Sequence, residues 1–366
     1  MSNHDGISAP PQAGARTSPR KLDVVHQDRK PPWLKVRAPG GENYAALKAT
    51  LRKLDLYTVC EEARCPNMGE CWGSGTATVM LLGHMCTRGC RFCAVTTGNP
   101  RGHVDPREPD HVATAIASVG LKYVVLTMVD RDDLLDGGAS HMGQAVRNLH
   151  QLQPELLVET LVGDFGGRKR DIAKMLEAEP DVFAHNIEVP RRLTPFIRDQ
   201  RCSYDLSLSV LRRAKQLAPD RLVKSSIMVG MGETDDEVLQ TMEDLRAQGV
   251  DIVTLGQYLR PTPRHAAVAR FVSPDVFSEY ERAGKTMGFE FVASGPLVRS
   301  SYHAAEGFVA ARLRAGKAPT RAPAKQSSAA DIVSPAGLGA RTEVAGTSAL
   351  STSSLIPTSS LIRPRA

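Results

Sequence analysis

The sequence has no apolar run long enough to cross a bilayer. Its uninterrupted apolar stretches are only a few residues long, as in VMLL from Val79 to Leu82, where a membrane helix needs about 20. An apolar signal region is missing too: MSNHDGISAPPQAGART is polar and carries an early acidic residue, so a cytoplasmic protein without membrane attachment is expected. There is no basic stripe interleaved with aromatics. The formal net charge is +6, but the basic excess lies in residues 1–40 and 316–366, and between them acidic residues slightly outnumber basic ones. A nucleic-acid-binding core is therefore not expected. The ten histidines show neither HExxH nor triad spacing, and GMGE at Gly230 to Glu233 stops short of a dinucleotide-binding GxGxxG.

What remains is an α/β pattern. Apolar, β-rich runs occur at 76–83, 123–129, 156–162, 182–189, 222–230 and 252–259. Helical patterns lie between them, and SPDVFSEYERAGKTMG follows the sixth run with Ser273 and Asp275 as start signals. The strand runs lack polar alternation, as strands covered on both faces should. Six successive βα units predict a parallel sheet curled into a full or partial barrel, with a doubly wound open sheet as the other arrangement. In either, sites belong in the loops after the strands. The expected domains are a disordered tail over 1–30, an extension over 31–75, a barrel over 76–315 and a low-complexity tail over 316–366, in which TSSLI occurs at Thr352 and again at Thr358.

Six of the seven cysteines fall within 34 residues. In a long chain without a signal peptide, that density reads as metal binding rather than disulfides. CTRGCRFC, from Cys86 to Cys93, opens the first βα loop. A structural zinc site closes with four ligands, usually in paired CxxC elements; here there are three. Three thiolates on a 4Fe-4S cluster leave one iron open to chelate a substrate. CEEARCPNMGECW supplies Cys60, Cys65 and Cys71 before the first strand; a second iron–sulfur centre and a zinc site both fit this spacing. Cys202 stands alone in RDQRCSYD and is set aside as an uninvolved thiol.

The spacing CxxxCxΦC, with Phe92 as the aromatic, resembles the motif of radical S-adenosylmethionine (SAM) enzymes, which follows the first strand of a partial (β/α)6 TIM-type barrel. KPPWLKVRAP, TMVDRDDLLDGGA, KSSIMVGMGET, GQYLRPT and VASGPLVRSSYHA extend the resemblance over residues 31–310 to the lipoyl synthase family. That resemblance implies two 4Fe-4S clusters. Cys86, Cys90 and Cys93 would hold the one that cleaves SAM, with Phe92 beside the nucleotide; Asp130, Glu159 and Asn186, at or near strand ends, are candidate cofactor contacts by position, the alternatives being a solvated charged loop for Asp130 and structural hydrogen bonding for the other two. Cys60, Cys65, Cys71 and Ser301 of the RSSY motif would hold the auxiliary one. It further implies insertion of two sulfur atoms, at C6 and C8 of an octanoyl chain on a lysine of a lipoyl carrier protein. The carriers would be the lipoyl domains of 2-oxo-acid dehydrogenases and the glycine-cleavage carrier protein, with flavodoxin or ferredoxin as electron donor. Arg260, where the family pattern has Gln, puts a local substrate contact in question. Another radical SAM sulfur-inserting enzyme, or a non-catalytic iron–sulfur or zinc protein, is the alternative.

Overall fold

A computed structural model of the chain describes residues 30–35, 76–119 and 121–301, together with residues 48, 49, 52, 57, 58, 67, 68, 71, 308, 309 and 312. Cys60, Cys65 and the two expected tails lie outside the described residues, apart from Lys30.

The main sheet contains β1 (Tyr57–Thr58), β2 (Thr76–Leu81), β5 (Tyr123–Met128), β6 (Leu157–Leu161), β7 (Val182–Ala184), β8 (Leu222–Val229), β9 (Ile252–Gln257) and β10 (Phe291–Gly295), hydrogen-bonded in that order. A separate two-residue parallel ladder joins β3 (Met85–Cys86) to β4 (Thr96–Thr97). All six expected strands are present and parallel. β10 is a seventh parallel strand, paired with β9 in register Phe291↔Ile252 to Gly295↔Gly256. It escapes the sequence reading because it is short and at the sheet edge, with half-buried residues at both ends. β1 is antiparallel on the other edge.

Alternation along the strands separates two layers. Val124 and Leu126 point outward into the cluster shared with the helices, while Tyr123, Val125, Val182, Leu222 and Ile252 form an inner cluster with Val309. Side chains from β5, β7, β8 and β9 meet in one inner cluster because the sheet curls around them. Phe291 of β10 closes it from the far edge, stacked on Phe308 with ring centroids 5.3 Å apart.

The outer helices are α1 (Glu108–Val119), α2 (Ala139–Leu152), α3 (Lys169–Leu176), α4 (Thr194–Ile197), α5 (Tyr204–Leu217), α6 (Asp235–Ala247) and α7 (Pro274–Thr286). Their starts follow local chemistry. Ser203 caps α5 by accepting from Leu206 N–H, and Thr234 with Glu237 forms a full capping box on α6. Ser273 occupies the cap position of α7 without a side-chain cap bond. Gly138 opens α2 at φ +92, where a Cβ would stand 2.2 Å from Leu82 Cδ1. Only glycine lets the end of β2 approach this helix so closely.

Candidate active site

The loop from Cys86 to Cys93 leaves the C-terminal end of β2 through two left-handed residues, Leu82 (φ 67) and Gly83 (φ 84). The β3–β4 ladder pins its two ends together, and Gly98 N–H donates to Cys86 O at 2.9 Å. Segments that follow other strands hold its middle. Thr87 N–H donates to Asp130 O at 2.9 Å, Arg91 N–H to Ile197 O at 2.8 Å, and Ala266 N–H to Arg91 O at 2.8 Å. His265 Nε2 lies 2.9 Å from Cys93 O, with its Nδ1 2.9 Å from Thr262 Oγ1. The loop is thus fixed from the ends of β5, β7 and β9, on the face where barrel sites form.

The three thiols are half-buried, and backbone N–H groups point at two of them. Arg88 N–H donates to Cys86 Sγ at 3.5 Å and Asp199 N–H to Cys90 Sγ at 3.3 Å. Burial, with Asp130 adding to it, pushes the Cys86 thiol up to about 11. Burial likewise raises Cys93. Cys90 is raised first by its hydrogen bond with Cys202 and then by burial. A coordinating metal removes the protons of such thiols outright.

Arg88, inside the CxxxC spacing, braces the loop. It is buried, with Nη1 and Nη2 at 2.5 and 2.8 Å from the Asp164 carboxylate. Its Nε and Nη2 lie 3.0 and 2.8 Å from Asp132, and Nη1 is 3.6 Å from Asp130. Burial, with Asp164 and Asp132 nearby, pushes the Asp130 carboxyl up to about 6 against the pull of Arg88. The neighbouring Arg131 is held separately by Asp133, Leu82 O and His103 O. The DRDD segment from Asp130 to Asp133 is therefore an internal brace rather than a solvated charge run. Cys202, set aside from sequence, also belongs here: its Sγ accepts from Arg88 Nη1 at 3.4 Å, and its thiol is near enough to Cys90 to raise that residue. No spacing in the sequence signals it.

The other expected residues divide. Phe92 packs against an apolar cluster of Val189, Leu193, Ile197, Met231, Tyr258 and Ala266 around the ends of β7, β8 and β9. Asn186 donates to Glu188 Oε1 at 3.1 Å; Glu188 sits at φ 70, and burial raises its carboxyl. Glu159, expected among the cofactor contacts, is instead fully buried inside the barrel. Its two oxygens each lie 2.8 Å from Lys224 Nζ, and Tyr123 Oη donates to it at 2.6 Å. An apolar interior accepts that carboxylate only because it is paired there. Arg260, the departure from the family pattern, folds back on the carbonyls of its own turn, Pro263 and His265.

The segment that carries Cys71 meets the segment that carries Ser301. Cys71 is buried, and its N–H donates to Asn67 O at 2.9 Å. Asn67 Nδ2 donates in turn to Leu297 O at 2.6 Å, four residues before the half-buried Ser301. Gly256 in β9 lets this C-terminal segment lie on the strand end, since a Cβ there would stand 2.0 Å from Val298 O.

The donor chemistry fits the implied clusters. A 4Fe-4S cluster takes each thiolate on a different iron, and soft, half-buried thiols on one braced loop suit it.

A sequence profile of the radical SAM superfamily matches residues 80–245, and one for the N-terminal domain of lipoyl synthase of the radical SAM family matches residues 11–65. The chain is 64% identical over 303 residues to a lipoyl synthase of Sorangium cellulosum, covering 79% of this chain and 82% of the relative. It is 56% identical over 285 residues to one from Thermus thermophilus, covering 78% and 88%. It is 51% identical over 302 residues to one from Marinobacter nauticus, covering 82% and 86%.

Proposed function

The chain belongs to the lipoyl synthase family of radical SAM enzymes, and from that premise we propose how its residues divide the work of inserting sulfur at C6 and C8 of an octanoyl chain carried on a lipoyl carrier protein. The cofactors of the family are SAM and two 4Fe-4S clusters, which when bound supply the electron for SAM cleavage and the sulfur atoms for insertion.

Cys86, Cys90 and Cys93 hold the first cluster. The Arg88 brace keeps their loop in place before any metal arrives, which lowers the ordering cost of loading. Phe92, Asp130 and Asn186, at the strand ends around this loop, contact SAM and exclude water from it. Cys60, Cys65, Cys71 and Ser301 hold the auxiliary cluster. The observation that carries this assignment is the Asn67–Leu297 hydrogen bond, which draws the cysteine segment and the serine segment together across |i−j| = 230. A serine ligand would be harder than the thiolates beside it and more easily protonated, so Ser301 would be the most readily released of the four ligands. Residues 31–75 are the auxiliary-cluster extension, residues 76–315 the barrel, and residues 1–30 and 316–366 tails.

The partners are octanoylated carriers, namely 2-oxo-acid dehydrogenase lipoyl domains and the glycine-cleavage carrier protein, with a flavodoxin or ferredoxin as reductant. Neither nucleic acid nor membrane takes part, and the enzyme works in the cytoplasm; no helix among the described residues is long and apolar enough to cross a membrane.

The test is anaerobic incubation of the reconstituted chain with SAM, a reductant and an octanoyl-lysyl peptide. Mass spectrometry should find lipoyl-lysine, with about two 5′-deoxyadenosines released per product, one for each activated carbon. SAM cleavage without sulfur incorporation would move the assignment to another radical SAM reaction. Ser301→Cys should keep its iron yet transfer sulfur slowly; unchanged transfer would remove Ser301 from the release step.

A further inference from the structure

Cys202 has no place in the division of labour above, yet the fold delivers it to the cysteine loop. The turn from Asp199 to Cys202 makes three contacts at once. Asp199 N–H donates to Cys90 Sγ at 3.3 Å, Cys202 N–H closes the turn on Asp199 O at 2.8 Å, and the Cys202 and Cys90 thiols lie near enough to shift one another's titration. Arg88 Nη1, 3.4 Å from Cys202 Sγ, fixes the second sulfur from the other side. The two thiols differ in access: Cys90 is half-exposed at the barrel mouth, while Cys202 is buried behind it.

We propose that Cys90 and Cys202 form a reversible disulfide in the cluster-free chain. A low-molecular-weight disulfide of the glutathione class reaches Cys90 first. The Cys90 thiol attacks one of its sulfurs and passes its proton to the departing thiolate, giving a mixed disulfide and one free thiol. The Cys202 thiolate then attacks the Cys90 sulfur and expels the second thiol. In total two protein thiols are oxidised, one small disulfide is reduced to two thiols, and the two protons lost by the protein end on those thiols. Placing the resolving cysteine behind the exposed one lets the exchange run to completion without the oxidant entering the core. The bond shields Cys90 from irreversible over-oxidation and closes the loop to iron until a thiol reductant reopens it. The pairing stands independently of the proposed function; its effect on loading rests on the reading of Cys90 as a cluster ligand.

The experiment treats the full-length, cluster-free chain with oxidised glutathione and maps unreduced proteolytic fragments by mass spectrometry. A fragment joining Cys90 to Cys202 is expected, together with loss of iron uptake on reconstitution and its return after dithiothreitol. Cys202→Ala should leave glutathione trapped on Cys90, and under reducing conditions should take up as much iron as the parent. A parent chain that retains glutathione on Cys90, or that joins Cys90 to Cys86 or Cys93, overturns the proposal. So does a loss of iron in reduced Cys202→Ala, which would make Cys202 a ligand. If the Cys90–Cys202 fragment forms but iron uptake is undiminished, the pairing stands and Cys90 falls as a ligand.

Discussion

Two buried ion systems sit in one barrel and are built on different plans. Near the N-terminal ends of the strands, Lys224, Glu159 and Tyr123 form a closed set: one cation, one anion and one hydroxyl, with both carboxylate oxygens bonded to Nζ. At the mouth, Arg88 faces Asp164, Asp132 and Asp130, and Asp132 has further partners in Thr87 and the half-exposed Arg201. The closed set makes the interior self-sufficient and offers nothing to a ligand. The branched set shares its carboxylates among Arg88, Arg201 and, at longer range, Arg198, beside three raised thiols. Burial alone therefore does not mark the end of the barrel that carries the cysteine loop; a branched, partly exposed network does.

Removing one member of each set should separate the plans. Glu159→Ala leaves an unpaired ammonium in the apolar interior and should cost about 3–5 kcal/mol of stability. Replacing the whole set, with Tyr123→Phe, Glu159→Met and Lys224→Met together, should recover most of that loss, because a buried ion pair is readily exchanged for packed apolar groups. Guanidinium unfolding of the three chains is the measurement. A triple variant as unstable as the single one would mean that the pair stabilises beyond its own desolvation.

Acid should act near the mouth through His185. This ring is buried between Val162 O (2.9 Å) and Ser207 Oγ (3.0 Å), and burial with Arg198 draws it down to about 4. Between pH 6.5 and 4 the unfolded chain binds a proton that the folded chain refuses, so stability present above pH 6.5 is lost as pH falls through that window. The full loss is about 3 kcal/mol. His185→Gln should flatten that part of the pH–stability curve; an unchanged slope would place the effect in the mouth carboxylates.

Arg88→Lys comes next in size, since a lysine cannot fork to two carboxylates. Asp164 loses at least one charge-assisted bond in a buried setting, for about 2–3 kcal/mol. The readout that a merely structural residue would not move is iron retained per chain, which should fall with the brace while the barrel still unfolds cooperatively. Equal iron retention in the variant would show that the cysteine loop orders itself around the metal.

How much of this was open to sequence reading follows from distance along the chain. Uninterrupted apolar runs marked the central strands because their side chains are covered on both faces. The short edge strand Phe291–Gly295 is half-buried and carries no such run. The cysteine loop was legible because its residues are adjacent and follow a strand. Its brace was not: Arg88 meets Asp132 across |i−j| = 44, Asp164 across 76 and Cys202 across 114. Nothing local distinguishes these acids from surface charges. Glu159 shows the converse error, since a polar residue in an apolar run suggested the mouth while its partner Lys224, 65 residues on, holds it inside.

The smallest expected effect tests whether the mouth is branched in energy as well as in geometry. Arg201 Nη1 lies 3.2 Å from Asp132 and its Nε 2.8 Å from Asp199, but its side chain is 44% exposed. Water screens such a pair, so Arg201→Ala should cost under about 1 kcal/mol. Asp132 keeps Arg88 and Thr87 when Arg201 goes, and Asp199 keeps Gly89 N–H at 2.8 Å. Combined with Arg88→Lys, the same change should cost more than the sum of the two, because Asp132 then loses Arg201 together with the forked grip of Arg88. A double-mutant cycle with no coupling would make the mouth two independent pairs rather than one network, and its likeness to the closed set below would be greater than the geometry suggests.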